Sequence, residues 1–351
     1  VGQVTQRGIL DGLFKWYSFS LLCPDKGSAW TTSVSRHDAH RYIMNVHKLL
    51  LMSPVLRQLI LPSSPFFGLI LTLWSWKDSE NGNHYLFFEK DEECNCIKLL
   101  LMIQNDKAIF ANFVEFLLKE PRATVLVMSL LLRAEEIMKM DPPLSPGTPR
   151  VSGALLYLSD MVRITRRLCK IPALSRVFEN AHYLPRLRDV CANLGHRLFP
   201  SPIDSRPLSM NEKKNLSTFV DIACGISRCI PKEASLATKS WRELLGNGNE
   251  YEQLLESIVR WVANTSNRFP ALAEEIEEMY TSHSFLLTEP TLLTNLKGGV
   301  DVNTLSLLSN HPRKAEIYHE FGTLISIRRR VLKKREGASA HLCDNTMVRF
   351  P

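Results

Sequence analysis

Apolar residues recur at three- and four-residue steps along most of the chain, the spacing that places them on one face of an α-helix. Ile9, Leu10, Leu13, Phe14, Tyr17 and Leu21 follow this rule near the start. Ile109, Phe110, Phe113, Val114 and Leu117 follow it again, with Asp106 placed to cap their helix. So do Leu155, Met161, Val162, Thr165 and Leu168 after Ser152, and Leu254, Leu255, Ile258, Trp261 and Val262. No train of alternating strands appears, and His84–Glu89 is the one stretch that could form a short strand. The pattern predicts an all-α protein.

Proline marks where these helices start. Ser53-Pro54, Ser64-Pro65 and Glu120-Pro121 each put a proline at a first turn, where its missing N–H costs nothing. At Pro54, Pro172 and Pro185, apolar residues follow two and five positions on: Leu56 and Leu59, Leu174 and Val177, Leu187 and Val190. Looser versions open at Pro270 with Leu272 and at Pro290 with Leu292. One short helix after another predicts a stack of helical hairpins. Pro231, Pro270 and Pro312 are spaced close to the helix-pair period of about 40 residues found in helical repeats, although no full-length repeat is visible.

The run Asp141-Pro142-Pro143-Leu144-Ser145-Pro146-Gly147-Thr148-Pro149 predicts a linker with a boundary near residue 145, and 200–209 a second, weaker break. The expected organisation is an apolar helical region over 1–140, a Pro-rich linker over 141–150, a helical stack over 151–336 ending in a basic helix, and a tail over 337–351. Ser145-Pro146 and Thr148-Pro149 are open to proline-directed phosphorylation if that linker is exposed.

Composition refines this picture without changing the class. With 45% hydrophobic and 23% charged residues, the 351-residue chain has the makings of a packed core. The longest apolar runs, 66–76 and 124–132, fall short of the roughly 20 residues that span a bilayer, so they predict buried helices and no membrane partner. Eight cysteines are too sparse for a disulfide framework and point to a reducing compartment, cytoplasmic or nuclear. The chain opens without a signal-peptide pattern, and its ends, Val1 and Phe350-Pro351, are those expected of a fragment. The sequons at Asn215 and Asn264 fall within predicted helices and read as chance matches.

The formal net charge of +7 is concentrated in two places. From Arg313 to Arg335 there are eight Lys/Arg against two acids, and from Asp160 to Asp189 seven against three, so the remainder is slightly acidic. Arg328, Arg329, Arg330, Lys333, Lys334 and Arg335 form the sharpest cluster, six cations in eight residues. They are the predicted partner-binding residues, suited to an acidic protein, an import receptor or nucleic acid. The competing reading is a C-terminal helix whose cations complement the negative end of its macrodipole.

The Pro-x-Leu helix starts resemble those of armadillo/HEAT-like helical proteins. The stretch Arg328–Arg335 followed by Ala340-His341-Leu342-Cys343-Asp344-Asn345 resembles the lead-in to a MYND-type zinc finger of large fungal helical proteins, although the finger and its paired C-x-x-C ligands are absent. The resemblance implies a helical region adjoining an interaction module and carries over no functional residue.

Candidate chemistry is thin. His37, His40 and His47 form one metal-like group, but a zinc site needs four closely placed ligands and no cysteine pair supports them. The alternative has Ser35 capping the helix while the histidines face solvent. Cys94 and Cys96, with Glu92, Glu93 and His84 nearby, form a second, a lone C-x-C that reads equally well as a helix start. Gly246-Asn247-Gly248 lacks the remainder of a phosphate loop and predicts a turn between helices. A G-x-S-x-G elbow is absent, and Glu274, Glu275, Glu277 and Glu278 read as a solvated helix face. The sequence therefore predicts a non-catalytic helical scaffold, with no cofactor and a protein partner. The alternatives are a nucleic-acid-associated or nuclear protein using segments 160–190 and 313–335, and a metal-binding protein or small enzyme.

Overall fold

The computed structural model describes residues 8–9, 11–13, 15, 45–75, 96–119, 121–139, 148–199, 208–231, 234–246 and 250–262. Of these, 84% are helical and none lies in a strand, so the described protein is all-α. His84–Glu89, the linker residues 141–147, and the proline starts at Pro270, Pro290 and Pro312 lie outside the described residues.

Helical residues 45–52 lead into a single turn, α1 (Pro54–Arg57), whose first turn is set by Pro54 and by Ser53 Oγ accepting from the Leu56 amide at 3.4 Å. There follow α2 (Pro65–Ser75), α3 (Cys96–Asn105), α4 (Lys107–Leu117) and α5 (Arg122–Met138). The rest are α6 (Pro149–Leu168), α7 (Pro172–Asn180), α8 (Tyr183–Leu198), α9 (Met210–Ser227), α10 (Ala234–Leu245) and α11 (Glu250–Val262). These helices divide between two compact units. The first comprises residues up to Lys139 together with Leu156–Tyr183, and the second Met140–Leu155 with the chain from Leu184 onward.

In the first unit α2 packs against α5, α3 against α4, and α5 against α7. The two apolar runs become α2 and α5, and Phe66, Phe67, Leu69, Ile70 and Trp74 of α2 are buried. Burying a side chain of this size stabilises a fold by about 1.5–3 kcal/mol, so this helix is a principal contributor. Phe67 meets Phe113 and Phe116 of α4 at 5.4 and 5.6 Å between ring centroids. Asp106 caps α4, accepting from the amides of Ala108 and Ile109 at 3.0 and 3.1 Å, and it also pairs with Arg57 at 2.7 Å. Ile9 departs from its predicted place on a buried face and is 67% exposed.

In the second unit α11 packs against both α9 and α10. The predicted face Leu254, Leu255, Ile258, Trp261 and Val262 is buried. Tyr251 donates its hydroxyl to the Ala223 carbonyl at 3.0 Å. Trp261 packs among Phe199, Phe219 and His196, and the absence of a Cβ on Gly195 makes room for its ring. Ser209 and Glu212 close a capping box at the start of α9 (2.8 and 3.3 Å), matching the Ser-x-x-Glu spacing. Gly246 ends α10 in the left-handed region at φ 74°, fitting the turn predicted there.

Three local expectations move. α8 begins at Tyr183 rather than Pro185, because a proline at the third position is still within the turn whose amides need no intrahelical acceptor. α6 begins at Pro149, with Thr148 Oγ1 accepting from the Val151 amide at 3.4 Å, while Ser152 donates instead to Asn215 Oδ1 at 2.8 Å. His47 does not face solvent: it is fully buried, its ring 4.7 Å from that of Phe66. Position 47 falls at a core-facing place on its helix, and the imidazole follows.

Candidate functional site

Of the predicted metal-ligating residues, His37, His40 and Cys94 lie outside the described residues, and Cys96 opens α3. Among the described residues no three His, Cys, Asp or Glu side chains converge on a point that could hold an ion. Cys169, Cys191, Cys224 and Cys229 are buried, and burial pushes the Cys191 thiol up to about 12. A thiol held protonated in this way is a poor nucleophile. Asn215, the first sequon, is buried, and the partner-binding cluster Arg328, Arg329, Arg330, Lys333, Lys334 and Arg335 lies outside the described residues.

Three arginines, of which Arg133 and Arg188 are buried, instead serve the ends of other helices. The last four carbonyls of a helix have no intrahelical donor and carry its negative pole. Arg133 of α5, with no exposed surface, donates through Nε (2.7 Å) and Nη2 to the Trp74 carbonyl at the end of α2, and through Nη1 to the Tyr157 hydroxyl at 3.3 Å. Its guanidinium lies 4.5 Å from the centroid of the Trp74 ring. Arg167 of α6 donates to the Gln104 carbonyl near the end of α3. Arg188 of α8 donates to the Glu243 and Leu244 carbonyls at the end of α10 (3.3 and 2.6 Å) and pairs with Asp189 at 2.8 Å and Glu250 at 3.7 Å. Arg167 and Arg188 belong to the basic segment 160–190, so part of its charge is structural.

What remains is exposed and organised. In α6 the buried residues Ala154, Tyr157, Leu158, Met161, Ile164, Thr165 and Leu168 occupy one half of the cylinder. The opposite side carries Leu156, Asp160, Arg163, Arg166 and Arg167, with Lys170 just past the helix end. At 3.6 residues per turn these six positions fall within an arc of about 120°. Leu156 is 54% exposed, and Arg163, Arg166, Arg167 and Lys170 are exposed. Asp160 pairs with Arg163 at 3.7 Å; burial raises its pKa from the ordinary carboxylate value, opposed by Arg163 and by Lys98 of α3. Arg176 of α7 is also exposed, in the same unit. The sequence marked this stretch as basic. The i, i+3, i+4, i+7 spacing from Arg163 to Lys170 puts four cations on one side of a helix, but it gives no sign that Arg167 also serves the Gln104 carbonyl.

No protein-family model, curated protein or solved structure matches this chain. The functional reading rests on these residues alone.

Proposed function

We propose that this protein is a non-catalytic helical scaffold that binds other proteins. The observation that carries this is the exposed α6 face: a continuous strip of cations on a helix whose other half is buried, so the strip is held in a fixed arrangement. Partner binding favours groups whose positions need no further ordering. The interior arginines Arg133 and Arg188, which serve carbonyls of neighbouring helices, fit the same reading, since they shape the fold.

Consecutive helices that pack on one another, α3 on α4 and α10 on α11, support an irregular stack of hairpins of the armadillo/HEAT kind as its architecture. Within this reading the basic cluster at Arg328–Arg335, placed as in the approach to a MYND-type finger, would be a second contact region. The strip's positive charge also favours a second reading, association with nucleic acid in the nucleus through segments 160–190 and 313–335.

Purification of the tagged full chain from the cells that make it, with nuclease treatment and size-exclusion chromatography, separates the two. The scaffold reading expects a protein that stays bound in fixed ratio after nuclease. Nucleic acid as the sole retained partner favours the second reading, and a chain that always elutes alone contradicts both.

A further inference from the structure

The α6 face carries more information than its charge. Leu156 lies two turns before Arg163 and on the same side of the helix, as its seven-residue separation requires. A leucine of which 54% is exposed, in line with four cations, is a mixed surface. Helix electrostatics explains only part of it. Arg166 and Arg167 stand in the last turn, where the macrodipole favours cations. Arg163 stands a turn earlier, and the pairs Arg163/Arg167 and Arg166/Lys170 set like charges four residues apart, a spacing unfavourable to the isolated helix.

We infer that this face docks an acidic protein segment that also presents an apolar side chain, the apolar residue covering Leu156 and carboxylates meeting Arg163, Arg166 and Lys170. Arginine suits this use because its planar guanidinium engages a carboxylate through two parallel hydrogen bonds. Arg167 contributes charge while anchored to the Gln104 carbonyl, with its guanidinium 5.9 Å from the Phe110 ring centroid. Two features favour protein over nucleic acid. A phosphate backbone offers nothing to an exposed leucine, and the large hydrophobic side chains exposed among the described residues include no aromatic ring on which a base could stack. Asp160 sets the register, since an acidic partner must place its carboxylates beyond it, toward Lys170.

The inference rests on the scaffold reading and adds the site and the partner chemistry. The test is fluorescence anisotropy on the full chain with a labelled Glu-rich peptide of about fourteen residues, spanning about 21 Å if helical, with one Leu placed two turns before its Glu cluster. The same peptide with Glu replaced by Gln, and a duplex DNA of similar length, are the comparisons. Saturable binding of the acidic peptide is expected, weaker by about tenfold in the Arg163→Gln/Arg166→Gln/Lys170→Gln variant and by about threefold in Leu156→Gln. Lys170→Gln alone, beyond the helix end, gives the charge effect without risk to the helix, and circular dichroism verifies the fold of each variant. Absence of saturable binding overturns the inference. So does equal affinity in folded variants, or tighter binding of the duplex with no dependence on Leu156. A protein that still co-purifies with the chain when the peptide fails would sink this site and leave the scaffold reading standing.

Discussion

Arg133 and Arg166 are the same residue type put to opposite uses. Arg133 has no exposed surface, and its guanidinium spans the Trp74 carbonyl, the Trp74 ring and the Tyr157 hydroxyl. Arg166 lies on the open side of α6 and is exposed. A buried cation is costly unless its donors are met, so once met it holds the surrounding geometry. An exposed cation has little effect on stability and is free to act on something else. Net charge counts the two alike; burial separates them, and only the second kind bears on binding.

The comparison breaks most visibly through stability. Arg133→Met should destabilise the protein by about 3 kcal/mol, since the Trp74 carbonyl and the Tyr157 hydroxyl each lose a buried donor. Arg166→Gln should change stability by no more than about 0.5 kcal/mol. Denaturant titration of the two variants decides it, and equal effects would erase the distinction. Next in size is Gly195→Ala: its Cβ would come within 2.8 Å of the Phe219 ring and closer still to Trp261. Overpacking of this kind costs about 1–3 kcal/mol, so a neutral result would show that the aromatic cluster of the second unit is loosely packed.

How much of this was legible in the sequence depends on whether the signal is local. Pro54, Pro65 and Pro172 open helices as predicted, and Asp106 caps one, because a first turn is determined by residues within four positions of one another. The apolar runs at α2 and α5 are buried for the same reason of period. Arg133 serving a carbonyl 59 residues away is a tertiary fact with no local trace. The polarity of His47 predicts solvent, whereas its helical position turns it against Phe66. The α6 face is half legible: its cations stand out by charge, whereas Leu156 does not, since one exposed leucine has no periodic partner.

Two smaller effects sharpen the account. Cys191, pushed up to about 12 by burial, should resist iodoacetamide at pH 8 in the native protein and react fully once unfolded, as peptide mapping would show. Ready labelling in the native state would contradict the packing of α8. Asp160 should give the smallest change. Its pKa is raised in the folded state, so the fold binds that proton more tightly than the unfolded chain does. Stability is therefore lost as pH rises from the ordinary Asp value through the raised one. Asp160→Asn should be slightly stabilising at neutral pH, with the gain vanishing in acid, and should strengthen binding of the acidic peptide. Destabilisation at neutral pH would mean that the Arg163 pair outweighs burial.

The most direct test of the central claim places a photo-crosslinking residue at Leu156 in the full chain, within the cells that make it, with Lys214 on the exposed side of α9 as the control position. The account predicts a light-dependent, nuclease-resistant adduct to a protein from position 156, much weaker from position 214, and lost when Arg163, Arg166 and Lys170 are changed to Gln. No protein adduct at 156, or equal adducts at both positions, would contradict it.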